Sequence, residues 1–193
     1  SYVGKPFSVW RDGTRREAFG WQDIRRLDYP VFGRRWLGNC SVPDLDLFPA
    51  RYPGVRTVLF QAGLEVSIMH LATWVMSWLS RWRVVRDWSR HAPLVKWLSE
   101  RFLFLGSDVG GMHVHLSGVT PDGRKASLRW YVVGASGDGP QIPATPAVIM
   151  SRKLAEGIGP APGAYPCMGM FTLEEFRREV EGYDIRTIGP DAQ

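Results

Sequence analysis

The chain has 193 residues, 45% of them hydrophobic and 22% charged, with a net charge of +5 at neutral pH. These are ordinary globular values; they exclude a disordered chain, and the length suits one domain or a domain with a long insertion. Much of the basic excess lies in Arg15–Arg16, Arg25–Arg26 and Arg34–Arg35, scattered rather than gathered on one helix, which argues against a nucleic-acid groove.

Pro6–Trp10 and Thr14–Ala18 flank Asp12-Gly13, a pair that favours a two-residue hairpin turn. Asp23–Asp28 suits a short helix or a strand, and Arg34–Cys40 a further strand. The segment Val42–Pro53 alternates apolar and acidic residues between prolines, so it reads as a loop or a short helix. Val55–Phe60 is β-branched and aromatic, the composition of a buried strand. From about Glu65 to Val85 the period becomes helical, with His70, Trp74, Trp78 and Trp82 four residues apart beside a stripe of Leu71, Val75 and Leu79. Such a helix should be buried or packed on another helix or subunit. A second apolar helix runs from Leu94 to about Leu105, opened by Pro93, and the two form an antiparallel pair inserted between strands.

Met112–Val119 and Arg124–Gly134 make the clearest hairpin, closed by Thr120-Pro-Asp-Gly-Arg124. Pairing Thr120 with Arg124 sets Ser117 opposite Ser127, His115 opposite Arg129 and His113 opposite Tyr131. One face is then polar and the other, with Met112, Val114, Leu116, Leu128, Trp130 and Val132, should pack on core helices. Pro143 to Gly157 reads as helix. Thr172 and Glu175 form a capping box before a helix through about Glu181, and Tyr183–Ile188 can close as a last strand.

Cys40 and Cys167 sit in no metal-ligand spacing, so free buried thiols in a reducing compartment are the simpler reading, with a single disulfide left open. No secretory leader pattern opens the sequence, and Val66–Leu79 is short of the roughly 20 apolar residues that a spanning helix needs. A cytoplasmic location is expected. Attachment to a membrane surface, for which Arg81, Arg83 and Arg86 would suit anionic lipid, is the disfavoured alternative.

The dinucleotide fingerprint is missing: Gly134, Gly137 and Gly139 are spaced GxxGxG and prolines follow. The hairpin's polar face is the best chemical candidate. Arg129 could grip a carboxylate, and His113 or His115 could carry a proton near neutral pH. Every half-buried sheet has a polar side, however, and a solvent or subunit face is favoured over ligand contact on spacing alone. A His113/His115 metal pair has no evident third ligand. The Gly134–Thr145 turn allows close approach to a ligand, but on physical grounds alone a strand-to-helix corner with Asp138 capping locally is the favoured reading.

Five blocks in order resemble the second domain of the saccharopine dehydrogenase-like oxidoreductases. They are VPDLDLFP (42–49), VRTVLFQAGLE (55–65), GGMHVHLSG (110–118), GDGPQIPATPA (137–147) and AYPCMGMFTLEEF (164–176). The resemblance implies an α+β domain with a mixed, largely antiparallel sheet and helices on one face, similar to the second domain of glyceraldehyde-3-phosphate dehydrogenase-like enzymes. It implies residues 1–193 as a single domain, the C-terminal part of a two-domain protein. NAD(P) would be held by an amino-terminal Rossmann domain, and this part alone would bind no cofactor and be inactive. It further implies a homodimer, a small-molecule carbonyl or imine substrate and no nucleic acid. His113 and His115 would be catalytic, while Arg129, Tyr131, Asp138, Gln141 and Thr145 would bind substrate. A non-catalytic ligand-binding or dimeric scaffold domain is the alternative.

Overall fold

The structure is a computed structural model and describes residues 2–189. It is α+β, and its named strands pair antiparallel in three small sheets rather than in one. The chain divides into two compact units at Ser107/Asp108, the point where the expected helical insertion ends. Each unit is built on hairpins whose turns the local sequence dictates.

In the first unit, β1 (Pro6–Arg11) and β2 (Thr14–Phe19) pair with Arg11 opposite Thr14. Asp12 and Gly13 both have positive φ, 53° and 77°, the backbone that a two-residue hairpin turn with right-handed strand twist requires. Val9 and Ala18 from this hairpin close on Leu45 of α1 (Asp44–Arg51) to form a small core. The open choice at 23–28 resolves as strand. β3 (Arg25–Tyr29) pairs with β4 (Gly33–Asn39), and β4 also takes the two-residue strand β5 (Gln61–Ala62).

The expected buried strand at Val55–Phe60 is corrected. That segment makes one bridge, Val58 to Trp10, and leaves Leu59 and Phe60 exposed. It runs past the tip of the first hairpin, where the Gly13 N–H donates to the Arg56 carbonyl at 2.7 Å, so only one side has a strand to pair with.

Helix α2 (Ser67–Arg81) forms where the sequence places it. His70 and Ser77 are fully buried, while Ile68, Leu71 and Val75 are 51%, 36% and 49% exposed. The buried side lies against backbone: a Cβ on Gly4, at φ +68°, would stand 2.1 Å from the Ser77 carbonyl oxygen, so no side chain fits there. The helix ends in paired capping bonds, Val84 N–H to Leu79 O at 2.9 Å and Arg83 N–H to Ser80 O at 3.0 Å, with Arg83 at φ +60°. Helix α3 (Ala92–Glu100) starts one residue before Pro93 as expected but stops sooner, and Leu103–Leu105 form a separate 3₁₀ turn. No described residue of α3 is buried.

In the second unit, β6 (Gly110–Val119) and β7 (Lys125–Gly134) have the expected register throughout. Thr120 N–H donates to Arg124 O at 2.8 Å, and Gly123 takes φ +83° to close the turn. β8 (Ile185–Ile188) joins β7 on its other edge. Helices α4 (Gln141–Ala155) and α5 (Leu173–Glu179) pack on one face, where Val132, Ile142, Ile149, Phe176 and Val180 form the core. The capping box is present: Glu175 N–H donates to Thr172 Oγ1, and Thr172 N–H to Glu175 Oε2.

The helices pack on β7 and leave the edge strand β6 largely uncovered. Met112, Val114, Leu116 and Leu128, expected inside, are 37–59% exposed, whereas Tyr131 on the opposite face is buried. The core draws on Trp130 and Val132 of β7 and Ile185 of β8, whereas β6 is the edge strand, so Met112 is 45% exposed although it pairs with the fully buried Val132. Among the described residues no helix is long and apolar enough to cross a membrane.

Candidate functional site

The polar face of the β6–β7 hairpin brings four of the sequence-derived residues together. Strand alternation puts His113, His115, Arg129 and Tyr131 on one side of the sheet, and the register sets His113 opposite Tyr131 and His115 opposite Arg129. The His113 and Tyr131 rings stack at 5.9 Å with 30° between planes. His115 Nε2 lies 2.9 Å from Ser127 Oγ. The face is graded: Tyr131 is buried, His113 half-buried, and His115 and Arg129 exposed towards the turn. Among the ion pairs between described residues, those of the second unit hold Arg124, Arg152, Lys153 and Arg186, and Arg129 takes no part in any.

The other three residues lie elsewhere and have structural partners. Asp138 Oδ2 accepts the Asp184 N–H at 2.7 Å and so ties the turn to the start of β8. Gln141 opens α4, its N–H bonded to the Asp138 carbonyl at 3.0 Å. Thr145 is buried and donates to the Gln141 carbonyl at 2.8 Å. It stands between Ile142 and Ile149 on the face of α4 that packs on Val132, hence on the opposite side of the sheet from Arg129. The arrangement therefore separates into a His–Arg–Tyr face and a structural corner.

A buried polar network in the first unit was not singled out from sequence. Asn39 Nδ2 donates to Asp23 Oδ2 at 2.9 Å, and Asn39 Oδ1 accepts from Gln61 Nε2 at 3.2 Å. Gln22 Oε1 accepts from Arg81 Nη1 at 2.7 Å, and the Arg81 guanidinium lies 3.9 Å from the Phe19 ring centre. His70 Nδ1 accepts the Leu64 N–H at 3.3 Å, while burial lowers the His70 pKa from its ordinary value. Only His70 carried a sequence signal, its place on the helical stripe; the amides gave none, because their partners come from distant segments.

Concavity does not pick out a site. A shallow, open depression of about 310 Å³ is lined by Arg26, Leu27, Asp28 and Arg34 on the β3–β4 hairpin. Among the described residues no three metal-ligating side chains cluster. Both cysteines are free: Cys40 is half-buried, with burial raising its thiol pKa, and Cys167 is exposed rather than buried. The chain matches no protein-family model and no curated protein.

Proposed function

We propose that this chain is the substrate-binding and dimerisation part of an NAD(P)-dependent oxidoreductase of the saccharopine dehydrogenase-like kind. The observation that carries the reading is the hairpin face, where a guanidinium outside the described ion pairs stands directly across from His115, beside the stacked His113–Tyr131 pair. Arg129 holds the acid group of a small substrate through paired hydrogen bonds. His113 and His115 serve proton transfer at the carbonyl or imine that the cofactor reduces or forms. Asp138, Gln141 and Thr145 act in this reading by shaping the corner beside the face. The resemblance supports a cofactor carried by a Rossmann domain elsewhere in the same protein, and a cytoplasmic location.

The test is a titration of the chain with glutamate and 2-oxoglutarate, followed through the imidazole signals of His113 and His115 by NMR. Saturable shifts that vanish in Arg129→Ala are the expected result. Where a strand–GxGxxG–helix segment precedes the chain in its reading frame, the same substitution should lower kcat/KM for an acid substrate by about 100-fold, the loss of one charge-assisted pairing of about 3 kcal/mol. Unmoved imidazoles together with unchanged turnover overturn the reading. The second reading, a non-catalytic dimeric scaffold, is favoured by the exposed Met112, Val114, Leu116 and Leu128 on the opposite face. It expects self-association through that face with no response to acids.

A further inference from the structure

We infer that the helical segment between Glu65 and Ser107 seats this protein on an anionic lipid surface. The segment is a closed excursion. Ser107, 42 positions along the chain, donates its N–H to Glu65 Oε1 at 2.7 Å, and Glu65 also pairs with Arg35 at 3.7 Å. Everything between those residues leaves this base and returns to it. The Trp88 indole, bonded to Ser80 Oγ at 2.9 Å, fixes the turn from α2 towards α3.

What the excursion exposes is unusual. Eleven of the 27 exposed large apolar side chains among the described residues fall within it, although it is little more than a fifth of the chain. On α2 they recur at Ile68, Leu71 and Val75, a helical seam, while the polar His70 and Ser77 of the same helix are fully buried. On α3 the seam is Leu94, Trp97 and Leu98, and the following turn adds Phe104 at 79% exposure. A helix that buries its polar side and shows its apolar side to water is stable only with an apolar partner against that side.

Charge identifies the partner. Residues 66–107 carry six basic side chains against two acidic, a net +4 out of the chain's +5. Arg81 is committed to Gln22 and Phe19, Lys96 faces Glu100 at 3.7 Å and Arg101 lies over the Trp97 ring at 5.0 Å, while Arg83, Arg86 and Arg90 are exposed around the apolar seams. A second copy docking through this face about a two-fold axis would set +4 against +4. An anionic bilayer surface meets both needs: headgroups match the arginines, and the acyl boundary takes Trp, Leu and Phe. The helices lie in the interface, since neither is long enough to span.

The experiment is co-sedimentation of the chain with vesicles of phosphatidylcholine alone and of phosphatidylcholine with phosphatidylserine. Binding should be at least about tenfold tighter to the phosphatidylserine vesicles and should fall as salt shortens the screening length from about 10 Å to 3 Å. Arg86→Ala with Arg90→Ala should weaken it by about 25-fold, at about fivefold for each basic residue at the surface. Trp97→Glu should abolish it. These side chains are exposed, so circular dichroism should be unchanged; were a variant to misfold, the lipid and salt dependence of the unaltered chain still decides. Equal sedimentation with both vesicle types, or none with either, overturns the inference. So does a chain that self-associates without lipid and is made monomeric by Trp97→Glu, for then a second copy covers the face.

Discussion

Lowering the pH from about 7.5 to about 5.5 should destabilise this protein through one residue, His70. Its Nδ1 accepts the Leu64 N–H, so the ring proton sits on Nε2, and Nε2 is itself buried without a partner. Protonating Nδ1 would break that bond and place a cation in a fully buried site against the edge of Trp21, 5.5 Å away. The folded-state pKa is therefore below the ordinary 6.5. The sign follows: below about pH 6.5 the unfolded chain takes up a proton that the folded chain refuses, so stability is complete above that pH and falls beneath it. Each pH unit over which the unfolded chain holds that proton and the folded chain does not costs about 1.4 kcal/mol. The assay is urea unfolding at fixed intervals of pH, run beside His70→Leu. The variant leaves the Leu64 N–H without an acceptor and should start about 1–2 kcal/mol less stable near pH 7.5. It lacks the proton uptake, so the gap between the two proteins should narrow as the pH falls below about 6.5. Parallel profiles for the two proteins across the window would refute the buried neutral imidazole.

Substitutions at three further positions test the local chemistry of helix ends. Arg83 holds a left-handed conformation at the C-terminal cap of α2. Such a residue costs about 1–2 kcal/mol, of which glycine would return about 0.5–1 as lost chain entropy; Arg83→Gly should therefore raise stability by about 0.5 kcal/mol, read as a higher urea midpoint, while Arg83→Ala should not. At the start of α5, Thr172→Ala should cost about 1 kcal/mol in thermal or urea unfolding through loss of the capping bond. The Glu175 carboxylate beside it is pulled from the usual 4.5 down to about 2 by the Lys153 ammonium at 2.6 Å and by the Thr172 N–H. A lowered carboxyl pKa contributes stability above about pH 4.5 that is lost as pH falls towards 2, so Glu175→Gln should flatten the acid limb of the unfolding profile.

The elements that sequence placed well are those whose cause is local. Asp12-Gly13 and Thr120-Pro-Asp-Gly-Arg124 carry their turn geometry in four or five residues, and each turn fixes a register that extends along the strands. From that register the meeting of His113 with Tyr131 and of His115 with Arg129 could be counted out. The capping box at Thr172 is legible for the same reason. Burial was less legible, because it depends on how far a neighbouring element reaches. Val55–Phe60 has the composition of an inner strand, but it lies beside one bridge and remains at an edge. Thr145 and Asp138 sit within seven positions of each other in a Gly- and Pro-rich turn, and only the fold reveals that both are taken up by the chain's own backbone.

Helix α2 shows why periodicity alone could not orient an element. Its sequence contains a stripe of His70, Trp74, Trp78 and Trp82 beside one of Leu71, Val75 and Leu79, and the spacing does not say which side turns inward. The backbone around it decides. Gly4 offers no side chain and presses against the Ser77 carbonyl, and Gln22 meets the Arg81 guanidinium at 2.7 Å. At Ser77 only a small side chain lets the backbones approach that closely, since a Leu or Ile in its place would crowd main-chain atoms. The side with His70, Ser77 and Arg81 is thus the one with steric and hydrogen-bonding complementarity to its own unit, and the side with Ile68, Leu71 and Val75 is left outward by exclusion. An apolar face left outward in this way, flanked by the exposed Arg83, Arg86 and Arg90, is free for the lipid surface inferred above, so the interaction surface and the fold have the same origin in this helix.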